Sequence, residues 1–206
     1  MSRLVTRDQA EQYFRPYAGG LSEAIHVGNR QLDEILGAQR HRAEARSLSS
    51  LRNDLICGEA RRIFADNPQV QFAKDHGRWV MYIFDPNLPD TVIVLFKKLD
   101  RQLRTMNVPS QLSFALFSQM PLPNMPLEAP RFVAGWRMDE FNNGVRDAVL
   151  TLPGPHGPYW AISLDGYAQG NVVAIVPAAP PSTDDAGATA KITVKKEKED
   201  DAVNSG

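Results

Sequence analysis

Four basic side chains lie at short spacing near the middle of the chain: Lys97, Lys98, Arg101 and Arg104. Ammonium and guanidinium groups bind phosphates and carboxylates through charge-assisted hydrogen bonds. The formal net charge of the chain is only −1, so binding to an anionic partner would depend on a local patch of this kind. The sequence therefore predicts an anionic-partner patch at these four residues.

The usual signatures of catalysis are absent from the sequence. It has no glycine-rich phosphate loop with its lysine, no histidine pair at helical spacing and no Gly-x-Ser-x-Gly turn. A nuclease of the hairpin type would place an acid two residues before Lys97, and that position is Leu95. We therefore expect a binding protein rather than an enzyme, with no catalytic residues, no metal and no cofactor.

A second candidate site is the heptapeptide formed by residues 111–117, which combines one polar residue with several apolar ones. The amide of Gln111 offers both a hydrogen-bond donor and an acceptor. Leu112, Phe114, Leu116 and Phe117 are apolar side chains that can enter a pocket. Burying a side chain of this size is worth about 1.5–3 kcal/mol, so two of them support micromolar binding once ordering costs are subtracted.

This heptapeptide resembles the peptide by which bacterial replication and repair proteins dock on the DNA-polymerase sliding clamp. That motif runs Gln, Leu, Ser or Asp, Leu, an optional spacer, then Leu or Phe or both. Here Phe114 replaces the usual leucine, and Ala115 stands where the longer form often has proline. The runs at residues 96–100, 107–110 and 132–136 also resemble small bacterial and phage proteins encoded beside regulators or antitoxins, and this resemblance covers residues 40–165. The resemblance implies a replication-inhibiting toxin whose partners are the sliding clamp and an antitoxin.

Two alternatives to clamp docking are also consistent with the sequence. The segment from Pro109 to Gln119 fits a short helix with apolar residues on one face, which would pack in the core. In the other alternative, the chain is a nucleic-acid-binding regulatory or nuclease-like protein that uses Lys97, Lys98 and an arginine-rich helix. Acidic residues alternate with those arginines, which favours a solvated face with ion pairs over direct nucleic-acid binding.

The first third of the chain, residues 6–67, has helical periodicity. Thr6 and Gln9 form a capping-box pattern, and the pair Gly19-Gly20 predicts the end of the helix that begins there. A second helix is predicted from residue 21 to 36, with Ile35 among its core residues and Gly37 after it. The third predicted helix spans residues 48–64, and its polar positions are rich in arginine, with Arg52, Arg61 and Arg62.

From residue 78 onward the pattern is that of strands. Residues 79–84 and 91–96 predict a hairpin, and 132–138, 145–152 and 159–164 predict an antiparallel meander. Residues 171–176 add a candidate edge strand. We therefore expect an α+β fold in residues 1–176, with N-terminal helices packed on an antiparallel sheet, and a disordered tail in residues 177–206. The sequence shows neither a membrane span nor a signal peptide, so we expect a cytoplasmic protein.

Overall fold

The structure is a computed structural model that describes residues 5–75, 77–84, 91–106, 115, 119 and 129–168. Within these residues the chain forms α1 (Arg7–Leu36), a 3-10 helix (Gly37–Arg42), α2 (Ala45–Ile63), six strands and a short α3 (Asp165–Ala168). The strands are β1 (Val70–Asp75), β2 (Arg78–Ile83), β3 (Val92–Lys98), β4 (Arg131–Met138), β5 (Val145–Gly154) and β6 (Gly157–Ser163). In this part of the chain, no helix is long and apolar enough to cross a bilayer.

The first two predicted helices are one continuous helix, so the predicted break at Gly19-Gly20 is wrong. The capping box is confirmed, because Thr6 Oγ1 accepts from the Gln9 amide at 3.3 Å and Gln9 Oε1 accepts from the Thr6 amide at 3.0 Å. A side chain at Gly20 would meet the Phe64 ring at 2.7 Å. This glycine therefore allows the middle of α1 to pack closely on Phe64 at the end of α2, and it does not terminate α1.

The second helix packs closely on the first. At Gly28 of α1, an added Cβ would lie 2.6 Å from the backbone nitrogen of Ile56 in α2. The predicted third helix is confirmed as α2, and Gly37 ends α1 with a φ of 45°. Ile35, predicted to lie in the core, is 61% exposed, because the buried part of α1 ends at Leu32.

The strands form one sheet in the order β1-β2-β3-β4-β5-β6. The predicted hairpin is confirmed as β2 and β3, and the predicted meander as β4, β5 and β6. Four of the five neighbouring pairs are antiparallel, while β3 and β4 run parallel. The α+β class is therefore confirmed. The edge strand β1 was not predicted from the sequence, because its alternation of Val70 and Phe72 with polar residues is short.

Both faces of the sheet are buried. Val92, Val94 and Phe96 of β3 belong to the core under α1 and α2. Ile93 and Leu95 alternate with them and belong to a smaller apolar cluster on the opposite face. This alternation is the period of two expected of a strand.

A hydrogen-bond cluster joins α1 to the C-terminal end of the described sheet. The carboxylate of Asp165 accepts from Ser22 Oγ at 2.6 Å and from the Ala148 amide at 3.0 Å, and it lies 2.9 Å from His26 Nε2. Burial alone would raise the pKa of Asp165. The hydrogen bonds from His26, Ser22 and Ala148 together lower it by more than burial raises it, so the pKa lies below its usual value. The predicted edge strand 171–176 and the predicted disordered tail 177–206 lie outside the described residues.

Candidate functional site

The heptapeptide lies almost entirely outside the described residues. The residues outside include Gln111, Leu112, Phe114, Leu116 and Phe117, on which the clamp-docking prediction depends. Within the segment from Pro109 to Gln119, the structure describes Ala115 and Gln119.

Ala115 and Gln119 contact the sheet near the start of β4. Ala115 packs against the apolar cluster on the face opposite the helices, and its carbonyl accepts from an Arg131 guanidinium nitrogen at 3.2 Å. The Gln119 side chain bonds both backbone groups of Arg131, at 2.8 and 2.9 Å. At the other side of the connection, the Met106 amide donates to the Lys98 carbonyl at 3.1 Å. The connection that contains the heptapeptide is therefore attached to β3 and β4 at both ends.

A polar cleft opens where β2 and β3 separate. The two strands pair from Ile83 with Val92 to Val80 with Leu95, although β2 extends back to Arg78 and β3 extends on to Lys98. The first half of α2 lies across this gap. The resulting basic cleft has a volume of about 370 Å³, within the range of small-ligand sites. It is lined by Ser49, Ser50, Asn53, Asp54, Gly77, Arg78, Trp79, Leu95, Phe96, Lys97, Lys98, Met106 and Trp136.

The side chains that line the basic cleft carry an excess of positive charge. Arg78, Lys97 and Lys98 are opposed by a single lining carboxylate, that of Asp54. Within the described part of the chain, none of these three cations has an ion-pair partner. Lys97 and Lys98 are partly buried, whereas Arg78 is exposed. Because charges removed from water are costly unless paired, the two lysines favour an anion in the cleft.

Lys97 is the most strongly perturbed of these cations. Burial and the nearby charge of Arg78 lower the pKa of its ammonium group to about 8. Cys57 of α2 lies close enough to affect Lys97, but burial raises the pKa of that thiol to about 12 and keeps it neutral at pH 7. Lys97 therefore has no anionic thiolate beside it at neutral pH.

Lys98 is held in place by a polar network. Its Nζ donates to Asn142 Oδ1 at 3.1 Å, and burial together with Arg52 lowers its pKa. Arg52 is only 5% exposed and donates from Nε to Asn29 Oδ1 at 2.9 Å. Arg40 donates to the backbone carbonyl of Asn142 at 2.8 Å. The loop that orients Lys98 is thus fixed to the helical layer.

Two tryptophans form part of the cleft wall. The Trp79 ring is contacted by the guanidinium of Arg61, 4.2 Å from the ring centroid, and by Lys74 Nζ at 5.1 Å. Trp136 is 1% exposed, and its buried Nε1–H has no hydrogen-bond partner among the described residues. A ligand in the cleft would change the surroundings of both indoles.

The four residues of the predicted patch separate in the structure. Lys97 and Lys98 line the basic cleft, whereas Arg101 lines a neighbouring cleft that shares Lys98 and Met106 with the first. Arg104 pairs with Asp100, with 2.9 Å between its Nε and the carboxylate oxygen. The structure therefore brings together two of the four predicted cations.

The arginines of the helical layer are mostly engaged within the protein. Arg62 pairs with Glu59 one turn earlier at 2.7 Å, as predicted for a solvated helix face. Arg52 and Arg40 differ from that prediction, because they contact Asn29 and the β4–β5 turn respectively. Because these arginines are engaged, α2 does not present a continuous basic surface. The basic site is instead the concave basic cleft.

Several cleft residues were not predicted from the sequence. Arg78 lies far from Lys97 along the chain and joins it only because the strands separate, while Asp54 and Asn53 come from α2. The sequence predicts Trp136 only as a strand residue, whereas its register opposite Lys98 in the parallel pair brings it to the cleft. The signal that could have identified Trp136 as a cleft residue is the parallel pairing of β3 with β4.

The other polar clusters among the described residues do not form a recognised catalytic arrangement. Ser22 and His26 both contact the same oxygen of Asp165, so the serine is not aligned for deprotonation by the histidine. The described residues contain no group of three or more His, Cys, Asp or Glu side chains able to hold a metal ion. Comparison of the chain with family models, curated proteins and solved structures gives no match.

Proposed function

We propose that this protein is a non-enzymatic binding protein that holds a small anionic ligand in the basic cleft. The observation that carries the proposal is the presence of three lining cations without ion-pair partners among the described residues. Lys97 is held there despite burial that disfavours its charge. An anion bound between these side chains would supply the missing opposite charge.

The size and charge of the cleft favour a small ligand over an extended nucleic acid. A volume of about 370 Å³ accommodates a ligand of metabolite size. Arg40, Arg52 and Arg62, which would extend a basic surface along the helices, are bonded to other parts of the protein. The net charge of −1 likewise provides no general attraction for a polyanion.

Calorimetric titration with inorganic phosphate, adenosine monophosphate and a long single-stranded oligonucleotide tests this proposal. We expect saturable binding of adenosine monophosphate. Arg78→Gln should weaken it about tenfold or more, because a hydrogen bond to a charged group is worth about 1.5–3 kcal/mol. Arg30→Gln removes the same charge from an exposed position on α1 and is the matched control.

Two results would contradict the small-anion proposal. The first is that neither inorganic phosphate nor adenosine monophosphate binds saturably. The second is tight binding of the oligonucleotide alone, with affinity that falls steeply as salt rises, since that dependence is typical of many phosphate contacts along a strand. The second result would favour the nucleic-acid-binding alternative.

Docking on the bacterial sliding clamp is the second candidate function. It is supported by the heptapeptide 111–117 and by the attachment of its connection to β3 and β4 at Met106 and Gln119. A peptide attached at both ends loses less conformational entropy on docking than a free tail. In this proposal the protein inhibits replication by occupying the clamp, and an antitoxin restrains it.

Binding of purified bacterial sliding clamp to the full chain tests the second candidate. We expect Gln111→Ala to abolish binding without loss of thermal stability, and Ser118→Ala, just outside the heptapeptide, to leave binding unchanged. A peptide spanning residues 110–118 should compete, and excess clamp should restore growth of cells that express the protein. Unchanged affinity of a folded Gln111→Ala variant would rule out this mode of docking.

A further inference from the structure

Lys97 differs from the other two lysines in the described part of the chain. Lys98 Nζ is engaged by Asn142 Oδ1, and Lys74 is exposed with its Nζ over the Trp79 ring. Lys97 lines the basic cleft, is partly buried, and has neither a hydrogen-bond nor an ion-pair partner among the described residues. Its amine is therefore the one of the three that is not held by a neighbouring side chain.

The charged and titratable groups around Lys97 favour its neutral form. Arg78 of β2 adds positive charge beside it, Lys98 of β3 lines the same cleft, and Asp54 and Cys57 face this region from α2. Burial is the largest cause of the fall in its pKa, to about 8, and Arg78 adds to it. At pH 7 about one tenth of such an amine is unprotonated, compared with about 0.04% for a lysine at its reference pKa.

An unprotonated lysine amine beside bound anionic groups is the arrangement required for imine formation with an anionic carbonyl compound. We infer that Lys97 binds such compounds covalently and reversibly, with Lys98 and Arg78 holding the phosphate or carboxylate of an aldehyde or ketone. The inference rests on the proposed anion-binding function, because the two neighbouring cations select the ligand.

Imine formation needs no reactant other than the Lys97 amine and the carbonyl compound. The Lys97 nitrogen attacks the carbonyl carbon, and the nitrogen loses its two protons as the carbon–nitrogen double bond forms. The carbonyl oxygen leaves as water with those protons. No electrons are exchanged with another compound, and hydrolysis returns the free amine and the carbonyl compound. Imine formation is thus a mode of binding and requires no catalytic turnover.

Pyridoxal 5′-phosphate and pyridoxal form a matched pair of probes, because both carry the aldehyde and only the first carries the phosphate. Each is incubated with the full chain at neutral pH, trapped with borohydride, and located by peptide mass mapping. We expect pyridoxal 5′-phosphate to label Lys97 at least about tenfold faster than Lys74 or Lys98, from the difference in unprotonated amine and the local anion site. Inorganic phosphate should slow this labelling.

Two variants separate loss of the amine from loss of the fold. Lys97→Arg keeps the positive charge, and Lys97→Met keeps a similar length without charge; neither can form an imine. Both should lose the rapid labelling while retaining the circular dichroism spectrum of the parent chain. Labelling of Lys97 in the parent should also rise with pH up to about 8 and then level off, following the amine.

The outcomes distinguish this inference from the function on which it rests. If phosphate binds in the titration but Lys97 is labelled no faster than Lys74, covalent binding is refuted and the anion site remains. Equal labelling of Lys97 by pyridoxal and its phosphate overturns the inference, since the cleft would then not select anionic carbonyls. If, in addition, neither inorganic phosphate nor adenosine monophosphate binds in the titration, the proposed anion-binding function is refuted as well.

Discussion

Replacing Lys97 by methionine should stabilise the protein near neutral pH. The folded chain lowers the pKa of Lys97 from 10.5 to about 8, mainly by burial and also through Arg78. Each unit corresponds to about 1.4 kcal/mol, so holding the charged lysine in the folded state costs up to about 3 kcal/mol. Lys97→Met removes this cost and retains most of the apolar part of the side chain.

The stabilisation by Lys97→Met should depend on pH in a defined direction. Below pH 8 the lysine is protonated in both the folded and the unfolded chain, so the full cost is present. Between pH 8 and about 10.4 the unfolded chain binds more protons than the folded chain, and the parent protein therefore gains stability as pH rises. The difference between variant and parent should shrink across this interval.

Urea unfolding at a series of pH values measures this difference directly. Lys74→Met removes the same charge from an exposed position and corrects for the change in net charge. We expect Lys97→Met to exceed that control in stability by about 1–3 kcal/mol at pH 7. If Lys97→Met is no more stable than the control at pH 7, or if its advantage does not decrease above pH 8, the description of Lys97 as a buried, unpaired cation is wrong.

Two further predictions concern helix packing and a hydrogen-bond cluster of the fold. Gly28→Ala should destabilise the fold by about 1–3 kcal/mol or more in urea unfolding, because its Cβ would lie 2.6 Å from the Ile56 backbone nitrogen. Gly58→Ala, where no atom lies within 4 Å of the added Cβ, should instead stabilise by about 0.5–1 kcal/mol, and equal effects of the two variants would contradict the packing described. Asp165→Asn should lower stability at pH 7 by about 1–3 kcal/mol. Because the pKa of Asp165 is lowered in the folded state, its contribution is present above about pH 4 and is lost as pH falls through the folded value, so the variant and parent should converge in acid.

The sequence was most informative where periodicity and turn residues agreed. The capping box at Thr6, the hairpin of β2 and β3, and the meander of β4 to β6 were all predicted. The predicted helix break failed because Gly20 serves a contact with Phe64 that no local pattern reveals. The exposure of Ile35 likewise depends on where the packing of α1 ends.

The candidate site was only partly predictable, for a similar reason. Lys97 and Lys98 were identified because they are adjacent and basic, and both line the cleft. Arg101 and Arg104 are as close in sequence, but the turn after β3 directs Arg104 to Asp100. Arg78 joins the site through the separation of two paired strands, which is a property of the sheet and not of any short segment.

The most direct test of anion binding in the basic cleft follows the indole N–H signals of the three tryptophans by nuclear magnetic resonance. Trp79 and Trp136 line the cleft, whereas the indole of Trp160 donates to the Val5 carbonyl at 2.9 Å and lies outside the lining. Adenosine monophosphate should shift the Trp79 and Trp136 signals along one saturable curve and leave Trp160 unchanged. The absence of a saturable shift at Trp79 and Trp136, or an equal shift at Trp160, would contradict the assignment of the cleft as an anion site.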